Sequence, residues 1–144
     1  MKARKLGEID SVVLHCSDSD IKAHDNIETI TSWHVDGNGW EDIGYNYVIT
    51  NNGDKFYGRS LFFKGAHAKG YNTRSIGICL TGRDKFSIAQ ELSLFNLLID
   101  ICKEHEIKKI YYHNEVTSGK TCPNFKWGWI ERLNEAIQAK EINN

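Results

Sequence analysis

Val12-Val13-Leu14 is the first apolar run of the chain, and it predicts a short buried strand that ends on His15-Cys16. A polar loop, Ser17-Asp18-Ser19-Asp20, follows. From Asn26 onward Ile27, Ile30 and Trp33 recur at helical spacing with His34 at the end, and Gly37 and Gly39 predict the stop. Tyr45 to Thr50 alternates as a strand does. Asn51-Asn52-Gly53-Asp54 predicts a hairpin turn into Lys55-Phe56-Tyr57, because Asn and Gly tolerate positive φ. Residues 60–73 read as a long loop, and Ser75-Ile76-Gly77-Ile78-Cys79-Leu80 predicts a central strand. Ser87 with Gln90 three positions on forms a capping box. The helix it opens is assigned an apolar stripe of Ile88, Leu92, Phe95, Leu98, Ile99 and Cys102. Ile110-Tyr111-Tyr112 predicts a short strand ending at His113. A loop then runs to about Phe125, and a last amphipathic helix uses Trp127, Ile130, Leu133 and Ile137. Strands interleaved with helices, one hairpin among them, predict a single α/β domain over residues 1–144. It should hold a central mixed β-sheet of about five or six strands flanked by helices, with its core at about 9–138.

Composition narrows the function classes. The chain has 144 residues, the size of one domain, with 40% apolar and 26% charged residues, which is globular composition. A formal net charge of −1 supplies no basic face for nucleic acid. No apolar run approaches the roughly 20 residues that span a bilayer, so no integral membrane segment is expected. The start is basic, but its apolar stretch is short and runs straight into His15, Cys16 and Asp18, unlike a cleavable signal. Synthesis in the cytoplasm without a signal peptide is therefore the expectation, as is a monomer. Cys16, Cys79, Cys102 and Cys122 are then expected as reduced thiols. The first three lie in apolar contexts and predict buried thiols. Cys122 sits instead in a polar loop between Lys120-Thr121 and Pro123-Asn124, where a nearby cation favours thiolate.

His15 and His113 each end an apolar strand-like run, and Cys122 follows His113 by nine positions. Two imidazoles and a thiolate suit Zn²⁺ and leave a fourth tetrahedral position for water. The spacing alone leaves two alternatives open. The histidines can be hydrogen-bonded rim residues beside a core cysteine, or Cys122 or Cys16 can be the nucleophile of a metal-free Cys/His hydrolase. Chelation inactivates a metal enzyme, and alkylation a thiol enzyme.

Six segments carry a family resemblance: Val12 to Ser17, Gly39 to Tyr47, Gly65 to Asn72, Ser75 to Leu80, His113-Asn114-Glu115-Val116 and Lys120-Thr121-Cys122-Pro123. Taken in order, they resemble the zinc-dependent N-acetylmuramoyl-L-alanine amidases, the family of phage lysozyme-amidases, and are similar to the peptidoglycan recognition proteins. The resemblance implies His15, His113 and Cys122 as zinc ligands, and Tyr45 and Lys120 as catalytic residues. It implies peptidoglycan as substrate, cut at the amide between N-acetylmuramic acid and L-alanine, as in an endolysin acting on the wall after release. The alternative it allows is a non-catalytic peptidoglycan-binding module; the presence of the cysteine ligand argues for the enzyme. His67, in a Gly-rich loop resembling the stretch beside the family's groove, is expected at the substrate. Trp40, Tyr71, Trp127 and Trp129 can line a glycan cleft or pack as core. His34 is expected at the surface or as a cap, and His24 and His105 have no partner pattern.

Overall fold

The structure, a computed structural model, describes residues 1–143. Among the described residues five strands form one sheet: β1 Ser11–Cys16, β2 Tyr47–Ile49, β3 Lys55–Tyr57, β4 Ser75–Leu80 and β5 Lys109–Tyr112. Their order is β3-β2-β4-β1-β5, with β2, β4, β1 and β5 parallel and β3 antiparallel to β2. The sheet is mixed, as expected. Among the described strands the antiparallel pair is the one joined by the hairpin, where Gly53 adopts φ +88° and its N–H donates to the Thr50 carbonyl at 2.8 Å. The parallel strands need crossovers: helical segments supply them between β1 and β2 and between β4 and β5, while β3 and the stretch over residues 58–74 link β2 to β4.

Residue parity separates the two faces of the sheet. Val12, Leu14, Ile76, Ile78, Leu80 and Ile49 point into one aliphatic core with Leu94, Leu98, Ile101 and Ile130. Those four belong to α2, Ile88–Glu104, and α4, Gly128–Asn143. The other face carries His15, Ser75, Gly77 and Cys79, with a smaller cluster of Ile30, Ile43, Val48 and Cys79. Ile30 comes from α1, Ile27–Ser32, capped by Asn26, whose side chain accepts from Thr29 N–H. Beyond Ser32 this helix widens into a π turn, Trp33–Gly37, in place of a plain stop. No helix of the described residues is long and apolar enough to cross a membrane.

The α2 cap is as expected: Ser87 Oγ accepts from Gln90 N–H and Gln90 Oε1 from Ser87 N–H, both at 3.0 Å. The expected stripe is not. Ile88 and Leu92 are 76% and 60% exposed and Phe95 is exposed too, whereas Gln90, Leu94, Leu97, Leu98 and Ile101 are buried. The helix is apolar on two sides, so helical spacing admits two stripes, and a polar residue sits on the buried one. Gln90 belongs there because its amide donates to the carbonyl oxygens of Thr81 (2.8 Å) and Ile49 (3.2 Å), at the ends of β4 and β2.

The stretch over residues 58–74 has little regular structure, and two buried guanidinium groups hold it. Arg4 donates to the carbonyl oxygens of Leu61 (2.7 Å), Asn72 (3.0 Å) and Ser75 (2.7 Å). Arg59 donates to those of Ile43 (2.9 Å), Lys64 (2.9 Å) and Asp42 (3.1 Å). Each is a rigid fork of donors that satisfies backbone acceptors no strand partner reaches. They fix the loop that carries His67.

Candidate metal centre

His15 is the fifth residue of β1 and almost wholly buried. Leu14 pairs with Tyr112 across β1 and β5, so the next step along each strand brings His15 beside His113, with ring centroids 4.3 Å apart. His113 opens α3, His113–Val116, a short helix within the stretch expected as loop. Its first turn is tied down by Glu115, whose carboxylate accepts from Tyr112 N–H at 2.9 Å. The following segment folds back until Cys16 N–H donates to Cys122 Sγ at 3.0 Å. Phe125, buried against Phe86 and stacked on Trp127 at 4.6 Å, anchors the far end. One donor atom from each of His15, His113 and Cys122 then lies within 4.8 Å of the others.

These residues fit a zinc ion. The donor set is two neutral-capable imidazoles and one thiol, the softness zinc prefers. His113 Nδ1 is buried without a hydrogen-bond partner among the described residues. Such an orphan costs about 1–3 kcal/mol, which a bound cation would offset. Burial, then the adjoining His67 and His113 rings, holds His15 well below the usual imidazole range. Burial and then the Lys120 cation lower His113. Both rings are therefore uncharged at neutral pH, the form that ligates metal. Cys16 and Cys122 share a side-chain hydrogen bond that lowers the Cys16 thiol to about 7 and raises Cys122. A dication held by Cys122 would reverse that order, since a coordinated thiol loses its proton outright.

Tyr45 lies on the lead-in to β2, not within it, its ring 4.9 Å from that of His15. Burial, and then the Cys79, Cys122 and Cys16 thiols, push its phenol well above the ordinary value, so it keeps its proton and stands as a donor. Lys120 is exposed, near enough for its charge to be felt at His113. His67 packs edge-on against His15, with both its ring nitrogens on protein partners, His15 and Ser75. Cys16 is buried, as are Cys79 and, partly, Cys102; all four thiols are free.

His34 is the residue that sequence reasoning misplaced. It is half-buried, its Nδ1 accepts from Gly44 N–H at 2.9 Å, and its ring lies 4.8 Å from Trp40 and 5.3 Å from Tyr45. It packs against Tyr45. Its spacing to Trp33 gave no sign of this, because the π turn rotates the residues after Ser32 relative to a regular helix. Of the aromatic residues considered for a cleft, Trp127 and Trp129 stack on each other, 6.2 Å apart, on the α2–α4 side. Tyr71 meets Tyr111 at 5.3 Å on the side of the metal cluster.

A cluster of two histidines and a cysteine able to hold a metal ion, on one face of a mixed α/β sheet, is thus the class of site that the geometry defines. The N-acetylmuramoyl-L-alanine amidase profile (Amidase_2) matches residues 5–125, and the chain belongs to this family. The endolysin of Escherichia phage T7 is 37% identical over 124 residues, 81% of each chain. Among solved structures, the N-acetylmuramoyl-L-alanine amidase LysC from Clostridium intestinale superposes with a TM-score of 0.75 at 25% identity, covering 97% of this chain and 91% of that one. The ectodomain complex of the peptidoglycan recognition proteins LCa and LCx with tracheal cytotoxin gives 0.74 at 28% identity, covering 85% of this chain and 80% of that one.

Proposed function

We propose that the protein hydrolyses the amide between N-acetylmuramic acid and the L-alanine of the peptidoglycan stem peptide, with Zn²⁺ held by His15, His113 and Cys122. The observation that carries this reading is the convergence of the three donor atoms within 4.8 Å, one of them on a ring whose Nδ1 is buried without a partner among the described residues. Likeness to phage endolysins and to an amidase of known structure supports the substrate class. It also supports action on the cell wall after release from the cytoplasm. The recognition-only alternative has less support, because the full donor set is in place.

When bound, zinc supplies Lewis acidity toward the scissile carbonyl and a more acidic water. The neighbouring side chains do the rest. Tyr45, a neutral phenol beside His15, orients the attacking water by hydrogen bonding. Lys120 places a positive charge where the tetrahedral oxyanion develops. His34, itself packed against Trp40, backs the Tyr45 ring.

Digestion of purified muropeptides with mass-spectrometric product assignment, with and without chelator, tests the reading. Free stem peptide beginning at L-alanine, lost on chelation and restored by zinc, is the expected result. Cleavage of the glycan strand, or amide cleavage that survives chelation but not thiol alkylation, would overturn it.

A further inference from the structure

His15 can reach a metal with only one of its two nitrogens, and the structure contains a device that selects which. The chain of hydrogen bonds is read from its far end, where the donor and acceptor roles are fixed. The Tyr71 carbonyl can only accept, so the Ser75 hydroxyl donates to it, at 2.7 Å. With its one hydrogen committed, Ser75 Oγ accepts from His67 Nε2–H, at 3.3 Å. With Nε2–H committed to Ser75, the neutral His67 ring carries a lone pair on Nδ1, which faces His15 Nε2 at 2.8 Å. His15 must be the donor in that contact.

We infer that His67 is a positioning residue: it accepts the Nε2 proton of His15 and so leaves His15 Nδ1 as the lone pair offered to the metal cluster. The inference rests on the reading of His15 as a ligand and replaces substrate contact as the role of His67. The relay is built deeply into the fold. A Cβ on Gly77 or on Gly65 would lie 2.6 Å from His67 Cδ2, so the ring occupies space that only glycine leaves open. Asn72 Oδ1 accepts from the N–H groups of His67 and Ala68, both at 2.9 Å, fixing the backbone that carries the ring. Ser75 is fully buried on β4, two positions before Gly77. A metal-bound histidine whose second nitrogen is held by a fixed acceptor has one orientation and a more basic lone pair. Loss of such a partner typically weakens metal affinity about 10–100-fold.

The test compares His67→Ala, His67→Asn and His67→Gln with the unaltered protein. Asn places its amide oxygen near the position of the imidazole Nδ1, where it can accept from His15; Gln reaches instead toward the position of Nε2. Long-range ¹H–¹⁵N correlation spectra of the metal-free proteins report the His15 tautomer, and competition with a chromophoric chelator reports zinc affinity. The expected result is the Nε2–H tautomer in the unaltered protein and in His67→Asn, with zinc affinities within a few-fold of each other. His67→Ala and His67→Gln should show mixed tautomers and affinity lower by about 10–100-fold. An unchanged tautomer and unchanged affinity in His67→Ala, or a rise in KM for muropeptide as its sole effect, would overturn the inference. If the unaltered protein bound no zinc, the metal reading would fail, and the tautomer spectra would still decide the role of His67.

Discussion

On one face of the sheet Val12, Leu14, Ile76, Ile78 and Leu80 meet Leu94, Leu98 and Ile101 of α2 and Ile130 of α4. On the other, the alternate positions of the same strands are Val13, His15, Ser75, Gly77 and Cys79, and what covers them includes His67, Tyr45 and His113. The first face is aliphatic, so its contribution is apolar area removed from water, insensitive to tautomer or proton. The second packs imidazoles, a hydroxyl and a phenol where each polar atom needs a named partner. One of them, His113 Nδ1, lacks one among the described residues. A strand step of one residue moves a side chain between these two environments. The aliphatic face can therefore hold the backbone still while the polar face keeps an orphaned nitrogen and a paired thiol ready for a cation.

Substitutions on the two faces should part stability from chemistry. The largest effect is expected from Cys122→Ser, which removes the soft donor. Loss of several kcal/mol of metal-assisted stabilisation lowers turnover on muropeptide by about two to three orders of magnitude. Elemental analysis should find zinc depleted while the urea midpoint of the metal-free protein stays near that of the parent. Full activity in this variant would erase the distinction. On the aliphatic face, Leu98→Ala should cost about 2–5 kcal/mol in urea unfolding and leave the folded fraction with its full zinc content. A large loss of metal without loss of stability would contradict the assignment of Leu98.

Next in size is Tyr45→Phe, which removes one hydroxyl from the polar face and keeps the ring against His15 and His34. Turnover should fall about a hundredfold at unchanged zinc content. Lys120→Ala should likewise retain zinc and lower kcat; loss of metal instead would mark Lys120 as structural. The smallest effect sharpens the contrast from the helix side. Ser87→Ala breaks the capping box of α2, the helix packed on the aliphatic face, and should cost about 1 kcal/mol of stability with kcat unaltered.

Much of this division could be read from the sequence where a residue type has few alternatives. His15 and His113 at the ends of β1 and β5, Cys122 in a polar loop, and the Asn51-to-Asp54 hairpin are all features of local pattern. The buried side of α2 was not legible, because Ile88, Leu92 and Phe95 repeat as regularly as Leu94, Leu98 and Ile101. Only the tertiary acceptors of Gln90 decide between them. The contact of His34 with Tyr45 depends on a π turn that propensity does not encode. The pairing of His67 with His15 depends on a loop clipped by Arg4 and Arg59, residues whose partners are backbone carbonyls and so leave no pattern in the sequence. Gly65 and Gly77 looked like loop and strand glycines until the ring between them was located.

Zinc-edge X-ray absorption of the purified, active protein bears most directly on the proposed zinc site. The account predicts one zinc per chain with a single sulfur scatterer at about 2.3 Å and two imidazole nitrogens at about 2.0–2.1 Å, the sulfur vanishing in Cys122→Ser. Fully active protein without stoichiometric zinc, or a zinc shell lacking sulfur, would contradict it.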